Sequence, residues 1–315
     1  MDKNIKIYIA GHRGLVGSAI KQEFEKKGYT NLIYRTHSEL DLTDSAAVAE
    51  FFEKEKPDWV VQAAAKVGGI YGNNTYPVEF MLENLKIQNN IIENAYKNNV
   101  KKLLFLGSSC IYPKETPQPM KEEHLLSGYL EKTNEGYALA KIIGIKLCNA
   151  YNREYGTNYM SVMPCNLYGL NDNYHPQNAH VIPMLIRRFH EAKEQGLKEV
   201  TVWGTGTPRR EFLYSGDLAE AVVFLMENKD AKDIGEFINI GSGYDMPIAE
   251  IANLVKETVG FEGKLVYDTS KPDGTMLKLM DVSRINALGW SAKTSLKDGL
   301  KIAYEDFKNK HLTKV

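Results

Sequence analysis

Residues 5–20 read IKIYIAGHRGLVGSAI: a β-branched apolar run, glycines at positions 11, 14 and 17, then a helical pattern opening at about Ser18. Glycines at a strand-to-helix junction permit a tight turn and let backbone N–H groups and the helix dipole approach a pyrophosphate. Such glycines often do no more than allow the chain to turn. Here they follow the first strand of a βαβ unit, and that position points to dinucleotide binding. The residues placed to touch the dinucleotide are Gly11, Arg13, Gly14, Leu15, Val16 and Gly17.

Outward from this stretch, the runs NLIYR (31–35), WVVQAAA (59–65), KLLFLGSS (102–109) and YMSVMPCN (159–166) alternate with helical patterns at 45–55 and 137–151. That alternation predicts a parallel sheet with helices on both faces and right-handed crossovers. The stretch YGLNDNYHPQNAH (168–180) is polar, and reads as a long ordered loop of the kind that carries function. Beyond it come a helix at 182–195, the strand EVTVWG (199–204), a helix at 217–227, the strand EFINIGSG (236–243), a helix at 248–259 and a short KLVYD (264–268). These read as pieces of a smaller lobe. The predicted class is α/β: a Rossmann-type doubly wound parallel sheet over 1–170, with a smaller mixed α/β substrate-binding lobe mainly over 171–315, some segments of which return to the first domain.

The chain of 315 residues is long enough to bury a sizeable core. Lys and Arg number 39 against 40 Asp and Glu, so no broad field exists for nucleic acid or an acidic membrane surface. No segment approaches the roughly 18 uninterrupted apolar residues of a membrane span. A soluble cytoplasmic protein without nucleic-acid or membrane partners is expected. The three cysteines, Cys110, Cys148 and Cys165, form no Cys-x-x-Cys and read as free thiols in a reducing compartment. His190-Glu191 lacks a second histidine at the zinc-protease spacing, and no metal site is predicted.

The second strand ends Tyr34-Arg35-Thr36-His37, without the acid that NAD-preferring folds place against the ribose 2'-hydroxyl. Arg13 and Arg35 could instead form a cationic fork for a 2'-phosphate, so NADP(H) is the expected cofactor. Tyr137 and Lys141 lie four residues apart, on one face of a helix. An ammonium beside a phenol favours the phenolate and predicts a lowered tyrosine pKa suited to proton transfer.

With these residues in view, the stretches GHRGLVGSAI, AAAKVGGI, LGSSCIYP, YALAKIIGIKLC, NLYG, HVIP, RRFHEA, WGTGTPRREFL and SKPDGT together resemble the extended short-chain dehydrogenase/reductase family. The resemblance spans nearly the whole chain and is most similar to members that epimerise and reduce 4-keto nucleotide sugars. It implies inversion of GDP-4-keto-6-deoxy-D-mannose at C3 and C5, followed by NADPH-dependent reduction of the C4 ketone. It also implies roles. In the Ser-x-x-x-Tyr stretch 108–112, Ser108 is the triad serine. Tyr137 gives a proton to the keto oxygen, and Lys141 holds the nicotinamide ribose. Cys110 and His180 are the acid and base of epimerisation. Asp41, Leu42, Pro164, Asn166, Leu167 and His180 join the cofactor wall, and Arg188, Trp203, Arg210 and Asp273 the substrate site. A homodimer through the tyrosine helix is implied as well.

The chemistry agrees independently. A hydride arriving at a carbonyl creates an alkoxide that needs a hydrogen-bond donor and a proton. A 4-keto group acidifies the C3 and C5 hydrogens, and a thiol and an imidazole both titrate near enough to neutrality to exchange them. Ser108 and Cys110, two apart on an extended strand end, are expected to face the same side. Cys110 could equally be inert packing, Trp203 ordinary core, and Asn166 a turn residue; Arg187 and Arg209 read as solvated charges. Two departures from the family pattern stand out: Ala10 replaces a threonine, and His37 a second arginine, which rests the 2'-phosphate on Arg13 and Arg35. Another NDP-sugar 4-reductase or 4-epimerase would not need both Cys110 and His180. A non-catalytic NADP-sensing regulator usually lacks the Tyr/Lys pair.

Overall fold

The computed structural model describes residues 2–176, 178–271 and 273–311. The first half runs β1 (Ile7–Ala10), α1 (Leu15–Lys26), β2 (Leu32–Ile33), α2 (Ser45–Glu55), β3 (Trp59–Gln62), α3 (Ile70–Thr75), α4 (Pro77–Lys97), β4 (Lys102–Leu106), α5 (Glu135–Tyr155) and β5 (Tyr159–Pro164). The second continues with β6 (Asn166–Tyr168), α6 (Val181–Glu194), β7 (Glu199–Trp203), β8 (Arg209–Tyr214), α7 (Ser215–Asn228), α8 (Ala231–Ile234), β9 (Ile238–Ile240), β10 (Asp245–Pro247), α9 (Ile248–Val259), β11 (Lys264–Asp268), β12 (Leu277–Lys278), α10 (Ser283–Ala287) and α11 (Leu296–His311).

Six strands form a parallel sheet in the order β2-β1-β3-β4-β5-β9. Strands β1, β3, β4 and β5 are buried along their whole length, as a sheet covered by helices on both faces requires. Local chemistry sets the helix ends. The Asp44 carboxylate accepts the N–H groups of Ala46 and Ala47 and caps α2. Gly156, at φ 68°, closes α5 in the left-handed conformation that glycine adopts without strain.

Helix 217–227 and strand 236–243, which follow the long loop and read as parts of the C-terminal lobe, belong to the first domain. Strand β9 pairs with β5 (Val162 opposite Ile238), and α7 joins the core that holds the six-stranded sheet. Sequence order cannot show this, because an apolar strand looks the same whichever sheet edge receives it. The second lobe is a mixed sheet of β10, β8 and β12 with β6 on β8, plus the parallel pair β7–β11. Its own core gathers Phe189, Phe212, Ile251, Val255, Tyr304 and Phe307. Among the described residues no helix is long and apolar enough to cross a membrane.

Strand β6 continues straight from the sheet strand β5 into pairing with β8, so the C-terminal ends of the parallel strands open toward the second lobe. Clefts at that end of an α/β sheet are where ligands bind in such folds.

Candidate active site

The glycine loop folds as its composition requires. Gly11 sits at φ +86°, and a Cβ there would come within 2.7 Å of the Ala64 backbone nitrogen; one on Gly17 would come within 2.1 Å of the Gly11 carbonyl oxygen. Helix α1 opens at Leu15, three residues earlier than read from the sequence, so Leu15, Val16 and Gly17 form its first turn. Gly14 brings no side-chain cap and that turn holds no acid, which leaves its N–H groups and the positive end of the helix dipole to an anion. A dinucleotide pyrophosphate fits this cradle.

Arg13 stands exposed beside it and makes no ion pair or hydrogen bond with the described residues. Arg35 does not stand free. Its guanidinium donates to Glu55 Oε1 at 2.6 Å and to the Tyr34 carbonyl at 2.9 Å, and it lies over the Phe51 ring. His37 is exposed, 3.9 Å from Asp41, whose carboxylate closes a turn on Thr43; Leu42 lies beside it, half-buried. His12 stacks on Tyr34 with ring centroids 4.5 Å apart.

Helix α5 carries Tyr137 and Lys141 to the end of β4. Gly144 makes this possible: a Cβ there would strike the Phe105 ring at 2.3 Å, so the helix lies directly on the strand. From α4, Gln88 donates to the Ala140 carbonyl at 2.7 Å and fixes the helix from its other side. Lys141 Nζ donates to the Leu106 carbonyl at 2.8 Å, 5.7 Å from the centre of the Tyr137 ring.

Charge distribution differs from the sequence reading. Burial pushes the Tyr137 phenol up rather than down, with the Ser108 hydroxyl pulling the other way. Burial also pushes Lys141 down to about 8. The half-buried phenol and the buried ammonium are each shifted toward the neutral form, and Lys141 donates to a carbonyl rather than to the phenol.

Ser108 and Cys110 do meet in one place, though not through strand alternation. Ser108 is extended, and residues Ser109–Ile111 make a single 3-10 turn whose first N–H groups need a cap. The Ser108 hydroxyl receives the Cys110 N–H at 3.5 Å. The turn folds Cys110 back over Ser108. Tyr112, the tyrosine of the 108–112 stretch, is buried and donates to Asn239 Oδ1 at 2.5 Å, away from the cleft. Cys110 is half-buried, unlike Cys148 and Cys165, which are buried thiols. Burial raises the Cys110 thiol, and Lys278, then Ser108 and Lys141, act against that rise.

His180 is the residue before α6, at the mouth of the cleft and open to solvent on one side. Surrounding protein, and after it Lys278, hold its imidazole below the ordinary value. Asn166 donates to the Glu211 carbonyl at 2.9 Å, with Pro164 and Leu167 flanking it on β5 and β6. Trp203 is 54% exposed, which excludes the core reading; Arg188 lies 4.9 Å over its ring and Lys271 5.9 Å. Asp273 accepts the Thr205 N–H at 2.7 Å, on the turn between β7 and β8, and acts on Arg210. Arg187 and Arg209 are engaged elsewhere, with Glu191 and Asp245.

Lys278 escaped the sequence reading. Nothing marks a lysine after KPDGT as part of a site. Only the pairing of β12 with β8, which sets Lys278 opposite Arg210, brings it to the cleft.

A model of the NAD dependent epimerase/dehydratase family matches residues 7–241. A putative GDP-L-fucose synthase of Arabidopsis thaliana is 59% identical over 305 residues, covering 97% of this chain and 92% of that protein. The GDP-L-fucose synthase of Escherichia coli K12 is 54% identical, covering 96% of each. The solved structure of a GDP-mannoheptose C4 reductase from Campylobacter jejuni with NADP bound superposes with a TM-score of 0.91 at 44% identity, over 98% of this chain and 99% of that one.

Proposed function

The chain belongs to the NAD dependent epimerase/dehydratase family, and we infer that it converts GDP-4-keto-6-deoxy-D-mannose to GDP-L-fucose, inverting C3 and C5 and then reducing the C4 ketone. It is an NADPH-dependent epimerase/reductase. The glycine cradle, the uncapped first turn of α1 and Arg13 are the residues that would hold NADP(H), with Arg13 carrying more of the 2'-phosphate than Arg35, which is committed to Glu55. Bound there, NADPH supplies the reducing equivalent for C4.

This chain's residues supply the rest. Ser108 and Tyr137 face the position of the keto oxygen, where they stabilise charge developing on C4–O and return a proton to it. Lys141 keeps Tyr137 in place from the Leu106 carbonyl. Cys110 and His180 move protons at C3 and C5, each inversion needing one group to take a proton and another to return one. Arg188, Arg210 and Trp203 hold the GDP moiety, and Asp273 steadies the turn at Thr205 beside them.

The observation that carries the reading is the fold-back of Cys110 onto Ser108 beside Tyr137 and Lys141. Reduction requires the serine, tyrosine and lysine; only epimerisation gives a thiol work there. Incubation of the protein with the 4-keto substrate in deuterium oxide, with NADPH and NADH in parallel, tests it. The expected result is NADPH oxidation with deuterium at both C3 and C5, and a slower reaction with NADH. Oxidation without deuterium uptake would leave a simple 4-reductase, and no oxidation with either nucleotide would leave a sensor.

A homodimer and a reducing, cytoplasmic setting complete the proposal. Helices α4 and α5 expose Val78, Leu82, Tyr96, Ile143 and Tyr155, an apolar face that a second copy would cover, and the three cysteines are free thiols. Light scattering is expected to give a mass near twice 35.6 kDa, and a monomer would overturn the dimer.

A further inference from the structure

Strand β12 is held in place from two sides. Leu279 N donates to Gln118 Oε1 at 2.8 Å, and the Leu279 carbonyl accepts the Met120 N–H at 2.8 Å, both from the segment that follows the Cys110 turn. Met280 N donates to Glu211 Oε2 at 2.9 Å. Lys278 therefore projects from a fixed backbone, opposite Arg210 in the β8–β12 register. Its side chain is half-buried and makes no hydrogen bond or ion pair with the described residues.

Burial pushes the Lys278 ammonium down; against that, Cys110 favours its charge, Arg210 opposes it, and Cys165 and Glu211 favour it, while the ammonium in turn acts on His180. Glu211 is fully buried, and its carboxylate is already taken up by the Gly243 N–H at 2.8 Å, the Ser242 hydroxyl at 3.3 Å and the Met280 N–H. Cys165 is a buried thiol, and Arg210 repels. A half-buried ammonium without a hydrogen-bonded anion calls for negative charge from its neighbourhood. Of the groups around it, only Cys110 gains a charge in the reaction.

We propose that Lys278 is a positioning residue for epimerisation, its ammonium holding the negative charge that Cys110 carries as a thiolate when it acts as the base. This rests on the function argued above. The same cation disfavours the imidazolium of His180, so a protonated His180 is a stronger acid than it would be alone. One fixed charge thus strengthens the base and sharpens the acid. The proton balance is simple: the Cys110 thiolate takes the proton from carbon and becomes a thiol, the electron pair moves into the C4 enolate, a protonated His180 returns a proton to the opposite face of that carbon as the ketone re-forms, and exchange with solvent resets both groups.

The test reads Cys110 directly, in the full chain without substrate, so that its failure is distinct from failure of the assigned reaction. Alkylation of Cys110 by iodoacetamide, followed by mass spectrometry of its peptide across about pH 7–11.5, gives the midpoint at which the thiolate forms. Lys278→Met is expected to move that midpoint up by about one pH unit or more and to slow alkylation at pH 7 about tenfold. Lys278→Arg, which keeps the charge, is expected to restore the midpoint to within about half a unit. NADPH binding by each variant reports that the fold is intact. A Lys278→Met protein that binds NADPH with an unchanged midpoint would overturn the proposal, as would an Arg variant that behaves like Met. Loss of NADPH binding in Met alone would leave the Arg variant and a Lys278→Gln protein to carry the same measurement.

Discussion

Cys110→Ala is expected to lower solvent deuterium uptake at C3 and C5 by roughly 10²- to 10⁴-fold, the usual worth of a positioned acid–base group, while NADPH binding stays unchanged. The reasoning is local. Cys110 sits on the 3-10 turn after β4, over Ser108, and not on the glycine loop that would hold the pyrophosphate. Alanine keeps the turn, because the cap is the Ser108 hydroxyl on a backbone N–H that any residue at 110 supplies. Removing one sulfur from a half-buried site should cost little stability. NADPH oxidation should fall to the rate at which the uninverted ketone is reduced. Nuclear magnetic resonance of the product checks both carbons. Exchange at both positions at the parent rate would mean that Cys110 is packing.

Tyr137→Phe should produce the opposite separation. NADPH oxidation is expected to fall by roughly 10²- to 10⁴-fold, with deuterium still entering C3 and C5 at a reduced rate. In the proposed reaction the phenol is the proton source for the C4 oxygen, and burial, by pushing its pKa up, keeps it protonated and ready to donate. Exchange needs only stabilisation of charge on that oxygen, which the Ser108 hydroxyl partly retains. An exchanged but unreduced ketone should accumulate, visible by mass spectrometry. Undiminished NADPH oxidation in Tyr137→Phe would remove Tyr137 from the reaction. Equal loss of both activities in both variants, with binding intact, would deny that the two half-reactions use separable groups.

The physics of the cleft explains why the tyrosine reading changed sign. On an exposed helix the ammonium of a Tyr-x-x-x-Lys pair would lower the phenol's pKa without ionising it at neutral pH. Here α5 lies on Phe105, Tyr137 is half-buried and Lys141 buried, and desolvation is the largest influence on both. With Lys141 pushed down to about 8, a small shift of its surroundings changes its protonation near neutral pH. Arg35 tells a similar story: its charge is real, and Glu55 from the end of α2 uses it first.

Residues 5–20 pointed by themselves to a strand, a glycine turn and a nucleotide cradle, and the structure shows why glycine stands there: a left-handed Gly11 and a backbone approach at Gly17 that tolerates no Cβ leave few other residues possible. The i, i+4 spacing of Tyr137 and Lys141 and the alternation of strands with helices were equally legible, since both are written in local periodicity. What periodicity cannot encode is which distant strands pair. The return of β9 to the first sheet, the fold-back of Cys110 through a capped 3-10 turn, and the arrival of Lys278 opposite Arg210 all depend on hydrogen bonds between segments far apart in the chain. Those contacts are chosen by the closing of two cores against each other, and only the tertiary structure decides them.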